Sequence, residues 1–204
     1  QKNLPKRGLK AGMDVLGFVT PPPPANTEGA PVLCFISHVD TSPAVSGTDV
    51  SPRIVRYEGG DILLDEAGQY RIARADNPEL AHYEGKELIV TDGRTLLGAD
   101  DKAGVAEIMS MLDWLIAHPE IPRGTVKVAF TPDEEIGRGT DHFDVAGLGA
   151  DFGYTVDGGE LGEIEYENFN AAAGRLVISG TSVHPGSAKG KMKNAVELFA
   201  AFTA

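Results

Sequence analysis

The chain has 204 residues, 42% of them hydrophobic, and a formal net charge of −12. That length suits one domain plus part of a second, and the hydrophobic share supports a buried core and excludes wholesale disorder. The acidic excess argues against nucleic acid or an anionic membrane as partner, and no apolar run approaches the roughly 18 residues of a membrane span.

In chain order, Val15–Thr20 predicts a short strand. Pro21–Gly29 opens on consecutive prolines and is a connector that neither a helix nor a central strand can contain. Pro31–Val39 predicts a buried strand, and its lone thiol, Cys34, is expected to be a buried filler. His38 and Asp40 close this strand, and period-two alternation aims both the same way. From Thr41 to about Gly85 the chain reads as an irregular surface insertion, with a hairpin near Asp61–Leu64. Glu87–Thr91 predicts another short strand. Val105, Ile108, Met109, Leu112, Leu115 and Ile116 then recur at helical spacing. Asp100 and Asp101 stand at the start of this helix and Pro119 ends it.

A strand over Thr125–Phe130 is followed by an acidic turn, a short helix within Thr140–Leu148 and a strand over Phe152–Val156. This alternation predicts an α/β fold: a mixed, largely parallel sheet with flanking helices. After Asn168 the texture changes to a predicted strand (Arg175–Ser179), a Gly-rich loop (Gly180–Gly190) and a helix from Asn194. Residues 1–167 are therefore expected to form one domain, and 168–204 the start of an α+β second domain. Both ends read as cut, so a fragment of a longer protein is expected.

The acidic clusters carry chemistry. Strand-like runs exit into His38-Val-Asp40, Gly98-Ala-Asp-Asp-Lys-Ala-Gly104, Thr131-Pro-Asp-Glu-Glu135 and Thr155-Val-Asp-Gly-Gly159, the second of which also opens the long helix. Ligands of such sheets collect beyond the carboxyl ends of the strands. A two-metal hydrolytic site needs imidazole and carboxylate ligands plus an unligated carboxylate to move protons. His38 can supply the imidazole, Asp100 can bridge two ions, and Glu135 and Asp157 can each complete one. Glu134 is then free as general base. Plainer explanations stand beside each residue. His38 can be a partly buried polar residue, Asp100 and Asp101 can cap the helix, Asp133–Glu135 can be a solvated turn, and Asp157 an ordinary turn residue. Their recurrence at successive strand exits favours a site.

His82, His118 and His142 read as surface or structural residues. His184, in the Gly-rich loop, is a candidate to stabilise an oxyanion. No His-Glu-x-x-His helix, Cys-x-x-Cys pair or Gly-x-Ser-x-Gly elbow is present, and Gly186–Lys191 resembles a phosphate loop only superficially.

The segments Ile36–Pro43, Thr91–Gly104, Val128–Glu135, Tyr154–Gly159, Phe169–Ala172 and Val183–Gly190 closely resemble the peptidase T family of bacterial tripeptide aminopeptidases. These belong with the co-catalytic di-zinc metallopeptidases, alongside glutamate carboxypeptidases, aminoacylase and succinyl-diaminopimelate desuccinylase. The resemblance implies a cytoplasmic enzyme that removes the N-terminal residue of tripeptides with two Zn2+ per subunit. Co2+ or Mn2+ is compatible with the same donors. A homodimer is among the assemblies the resemblance allows. By position, it implies His38, Asp100, Glu135 and Asp157 as metal ligands and Asp40 as the acid that orients His38. It implies Glu134 as general base, His184 as a catalytic histidine contributed by a lid or dimerisation domain, and a cis bond between Asp100 and Asp101. The family also has an N-terminal helix and a further zinc-binding histidine near its C-terminus, and no residue here matches either. A half-filled metal site is therefore expected for this chain alone. The residues by themselves leave open a related amidohydrolase, such as an N-acyl-amino-acid deacylase or a carboxypeptidase, and a non-catalytic metal- or peptide-binding protein.

Overall fold

A computed structural model describes residues 12–14, 17–20, 25–159, 161–167 and 170–204. In chain order it contains β1 (Gly12–Asp14), β2 (Gly17–Thr20), β3 (Leu33–His38), β4 (Arg53–Arg56), β5 (Ile62–Leu63), β6 (Arg71–Ile72) and β7 (Glu87–Val90). Helix α1 (Ala99–Ala117), β8 (Val126–Thr131), α2 (Val145–Leu148), β9 (Phe152–Thr155) and α3 (Ala195–Thr203) follow. The chain divides into two compact units, Gln1–Leu161 and Gly162–Ala204.

In the first unit a five-stranded sheet runs in the order β1-β2-β8-β3-β9. β3 is parallel to both β8 and β9, whereas β2 pairs antiparallel with β8 and with β1. The sheet is therefore mixed with a parallel core, as the sequence predicts. The strand expected from Val15 begins at Gly17, and Val15 and Leu16 lie outside the described residues. Register fixes where the parallel strands end: His38 lies opposite Thr131, and Ile36 opposite Thr155. Three of the four acidic clusters thus open along one edge of the sheet, whereas the cluster at Asp100 is separated from β7, which ends at Val90, by a loop and opens α1 instead.

Helix α1 covers this sheet because its apolar positions recur on one face. Ile108, Leu112 and Leu115 pack with Val126, Val128 and Phe130 of β8 in the main core. Burying each such side chain contributes about 1.5–3 kcal/mol. Gly98 precedes the helix in a left-handed conformation (φ 68°), which glycine adopts without a side-chain penalty. Asp100 and Asp101 are not helical in backbone (ψ 106° and 38°), so the regular helix begins at Lys102.

The insertion between β3 and α1 is less irregular than expected. β4 pairs antiparallel with β7 and β5 with β6, and Tyr57, Ile62, Leu80 and Val90 form a small core of their own. The helix expected within Thr140–Leu148 is confined to Val145–Leu148, capped by Asp144 accepting from the Gly147 N–H.

The second unit holds α3, whose N-terminus is capped by Asn194 accepting from the Val196 N–H at 2.9 Å. The strand expected at Arg175–Ser179 is absent; the only pairing described nearby is the bridge between Thr181 and Lys193. An apolar run becomes a strand only when a neighbour satisfies its backbone groups, and among the described residues none runs beside this one.

Candidate metal centre

The ends of β3, β8 and β9 and the start of α1 bring His38, Asp40, Asp100, Glu134, Glu135 and Asp157 together. His38 is the hub. It is 2% exposed, and its Nε2 lies 2.7 Å from Asp100 Oδ1 and 3.8 Å from both Glu134 Oε2 and Asp157 Oδ2. Its Nδ1 faces the carbonyl of Asp40 at 3.0 Å and that residue's carboxylate at 3.3 Å. With its proton on Nδ1, the ring turns the Nε2 lone pair toward the carboxylates, the orientation a metal ligand needs.

Asp40 also organises the acidic turn. After β8, Asp133 takes a left-handed backbone (φ 61°), which Asp tolerates better than most residues. The backbone N–H groups of Glu134 and Glu135 then donate to the two Asp40 oxygens at 3.2 and 3.1 Å. One carboxylate therefore fixes the imidazole on one side and the Glu134-Glu135 pair on the other.

Neighbouring aspartates at the start of α1 divide two jobs. Their shared peptide bond is cis, as the resemblance implies. Asp100 is largely exposed and faces His38. Asp101 is buried and accepts from Ser37 Oγ at 2.5 Å, from the His38 N–H at 3.0 Å and from the Gly104 N–H at 3.0 Å. The last of these is a helix cap, so the capping role open to both aspartates falls to Asp101.

The electrostatics suit a cation. Burial pulls the His38 imidazole down, but the hydrogen bond with Asp100 and the charges of Asp157, Asp100 and Asp101 outweigh it and raise its pKa above the ordinary histidine value. Burial pushes the Asp157 carboxyl up; the Gly158 N–H opposes this, and the charges of Asp101 and Asp100 reinforce it. Crowded carboxylates around one imidazole repel one another, and a bound cation relieves that repulsion. Donor atoms of His38, Asp100 and Glu135 lie within 4.8 Å of one another, as do those of His38, Asp101 and Asp157. One imidazole with hard carboxylate oxygens fits zinc, manganese or cobalt. Asp101 is the weakest donor of the set, since both of its oxygens already accept hydrogen bonds.

His184 belongs to the second unit, where its Nδ1 accepts from the Gly186 N–H at 3.2 Å and caps the turn Pro185–Ser187. His82 and His142 are exposed, His118 is half-buried beside Glu120 and the Trp114 ring, and Cys34 is fully buried with a free thiol. Ser37 and the buried role of Asp101 were not anticipated. Their bond spans the chain between β3 and α1, and the only local signal is a hydroxyl preceding the strand-end histidine.

Residues 82–187 match the family model described as peptidase family M20/M25/M40. The matched stretch holds Asp100, Glu134, Glu135, Asp157 and His184; His38 and Asp40 precede it. Proteins named Peptidase T from Geobacillus thermodenitrificans (strain NG80-2) and Desulfitobacterium hafniense (strain DSM 10664 / DCB-2) are each 56% identical to this chain. The similarity covers 91% and 97% of this chain but 46% and 49% of those relatives, so the chain spans about half their length. Among solved structures, an aminopeptidase PepT from Bacillus cereus ATCC 10987 superimposes with a TM-score of 0.64 at 26% identity, over 98% of this chain and 47% of that one. A tripeptidase from Staphylococcus aureus subsp. aureus mu50 gives 0.53 at 26% identity, over 78% and 36%.

Proposed function

The chain belongs to peptidase family M20/M25/M40, and on that premise we propose that the whole protein is a metal-dependent aminopeptidase that releases the N-terminal residue of tripeptides. The observation that carries this reading is the convergence of one oriented imidazole, His38, with Asp100, Glu135 and Asp157, beside a further carboxylate, Glu134. The aminopeptidase reading is supported by the name of the Bacillus cereus structure, and the tripeptide preference by that of the Staphylococcus aureus tripeptidase.

In this reading His38, Asp100 and Asp157 would hold one ion and Asp100 and Glu135 would contribute to a second, with zinc as the proposed metal. Ions held there supply the Lewis acidity that makes water nucleophilic near neutral pH. Asp40 keeps the His38 proton on Nδ1 and steadies the backbone of Glu134 and Glu135. Glu134 takes a proton from the attacking water and returns it to the leaving amine, which departs neutral. With its Nδ1 accepting from the Gly186 N–H, the neutral His184 ring carries its proton on Nε2, a group able to donate to an oxyanion. Residues 1–167 form the catalytic domain, and 168–204 begin a lid or dimerisation domain. The cytoplasmic setting is proposed from the resemblance to the peptidase T family alone. Among the described residues no helix is long and apolar enough to cross a membrane.

The test uses the whole protein with a free-amino tripeptide and its N-acetylated twin, each with and without a chelator. Release of the N-terminal residue from the free-amino peptide alone, abolished by chelator, is the expected result. Cleavage of the acetylated twin alone would replace the aminopeptidase reading with a deacylase.

A further inference from the structure

We infer that Asp101 is the positioning residue that spaces the metal donors, acting with Ser37 and Gly104 and not as a ligand itself. The inference rests on the metal-centre reading above. Asp101 is 1% exposed. Its Oδ2 accepts from Ser37 Oγ at 2.5 Å and from the His38 N–H at 3.0 Å, and its Oδ1 accepts from the Gly104 N–H at 3.0 Å. These bonds tie the end of β3 to the start of α1, the two segments that carry His38 and Asp100. A third segment is held against the same point. A Cβ at Gly104 would overlap the carbonyl of Val156 as well as Asp101 Oδ1. Val156 immediately precedes Asp157, and its own N–H donates to the Ile36 carbonyl at 2.7 Å. One buried carboxylate and one glycine therefore set the distances among the segments bearing His38, Asp100 and Asp157. Asparagine at 101 keeps an acceptor for Ser37 and His38 but turns an NH2 toward the Gly104 N–H, donor against donor.

The test compares Asp101→Asn and Ser37→Ala with the unsubstituted whole protein, using cobalt(II) alone as probe. Three quantities are read: cobalt affinity by chelator competition, the visible absorption of the bound cobalt with its stoichiometry, and the thermal midpoint. Asp101→Asn is expected to bind the same number of ions about 10–100-fold more weakly, with shifted absorption bands. Ser37→Ala is expected to move both readouts the same way by less. Loss of a bound ion in Asp101→Asn, with Ser37→Ala unchanged, would make Asp101 a ligand and overturn the inference. A lowered thermal midpoint with unchanged affinity and spectrum would overturn it too, by reducing Asp101 to a structural role. If Asp101→Asn does not fold, Ser37→Ala decides alone: an unchanged affinity and spectrum overturns the inference. Failure of the unsubstituted protein to bind cobalt would overturn the metal-centre reading and this inference with it.

Discussion

In the proposed mechanism Asp40 and Glu134 are neighbours with different work, and substitution should separate them. Asp40 meets His38 Nδ1 on one side and the N–H groups of Glu134 and Glu135 on the other, so its loss loosens a donor as well as the base. Glu134 →Ala is expected to lower turnover by about 10²–10⁴-fold while leaving bound metal unchanged, since general base work is worth that much. Asp40→Ala is expected to cost about 10–100-fold in metal affinity in addition. Metal analysis beside steady-state kinetics checks both, and loss of metal from Glu134→Ala would move that residue into the ligand set. His38 adds a pH dependence. A group whose folded pKa is raised stabilises the fold below its unfolded value and loses that contribution as pH rises through the folded one. In chelator, the thermal midpoint is therefore expected to fall as pH rises from about 6 to 8, around the ordinary histidine value of about 6.5. His38→Gln should flatten that fall, and calorimetry that shows a rising midpoint would contradict it. At this scale the sequence was readable where a motif is local. The pairing of His38 with Asp40 could be anticipated from strand alternation, although β3 ends at His38 and Asp40 reaches the ring from beyond it. The bond from Ser37 to Asp101 could not, because its partners are distant in the chain.

Among the elements, α1 was the most legible because a helix buries a stripe that its own periodicity announces. The parallel strands were legible from their apolar runs, and the acidic residues at their exits marked which end faces the chemistry. The small core under the insertion was not, because Tyr57, Ile62, Leu80 and Val90 come from separate short pieces, none with a period of its own. The strand expected at Arg175–Ser179 failed for the opposite reason: its composition suits a sheet, but pairing decides. Two positions on α1 should show that the element's packing and its placement at the site are separable. Leu112 is fully buried beneath the sheet, away from the donors. Leu112→Ala is expected to lose about 2–5 kcal/mol of stability while keeping metal affinity. Gly104→Ala forces the start of α1 away from the Val156 carbonyl, and is expected to lose about 1–3 kcal/mol and weaken metal binding as well. Denaturant titration and chelator competition on both variants check this. Undiminished affinity in Gly104→Ala would mean that helix placement does not space the donors.

For the whole molecule, the count of imidazoles sets how much metal the proposed centre can hold in this chain. Both candidate donor groups include His38, yet its Nδ1 is turned to Asp40 and its Nε2 has a single lone pair. One ion can therefore take His38 with Asp100 and Asp157. A second ion would draw only on Asp100, as a bridge, and Glu135 among the described residues. Catalytic zinc sites ordinarily use about three protein ligands, so the second ion is short of a donor. The relatives are about twice as long as this chain, which leaves room in the whole protein for the missing ligand. Residues 1–204 prepared alone are therefore expected to bind one zinc tightly and a second at least about tenfold more weakly, the effect of an incomplete ligand shell. The whole protein should bind two with comparable affinity. Equilibrium dialysis against buffered zinc distinguishes these cases. Two equal sites on the short chain would mean that a residue outside this donor set completes the second ion. No zinc on either protein would remove the metal centre from the reading altogether.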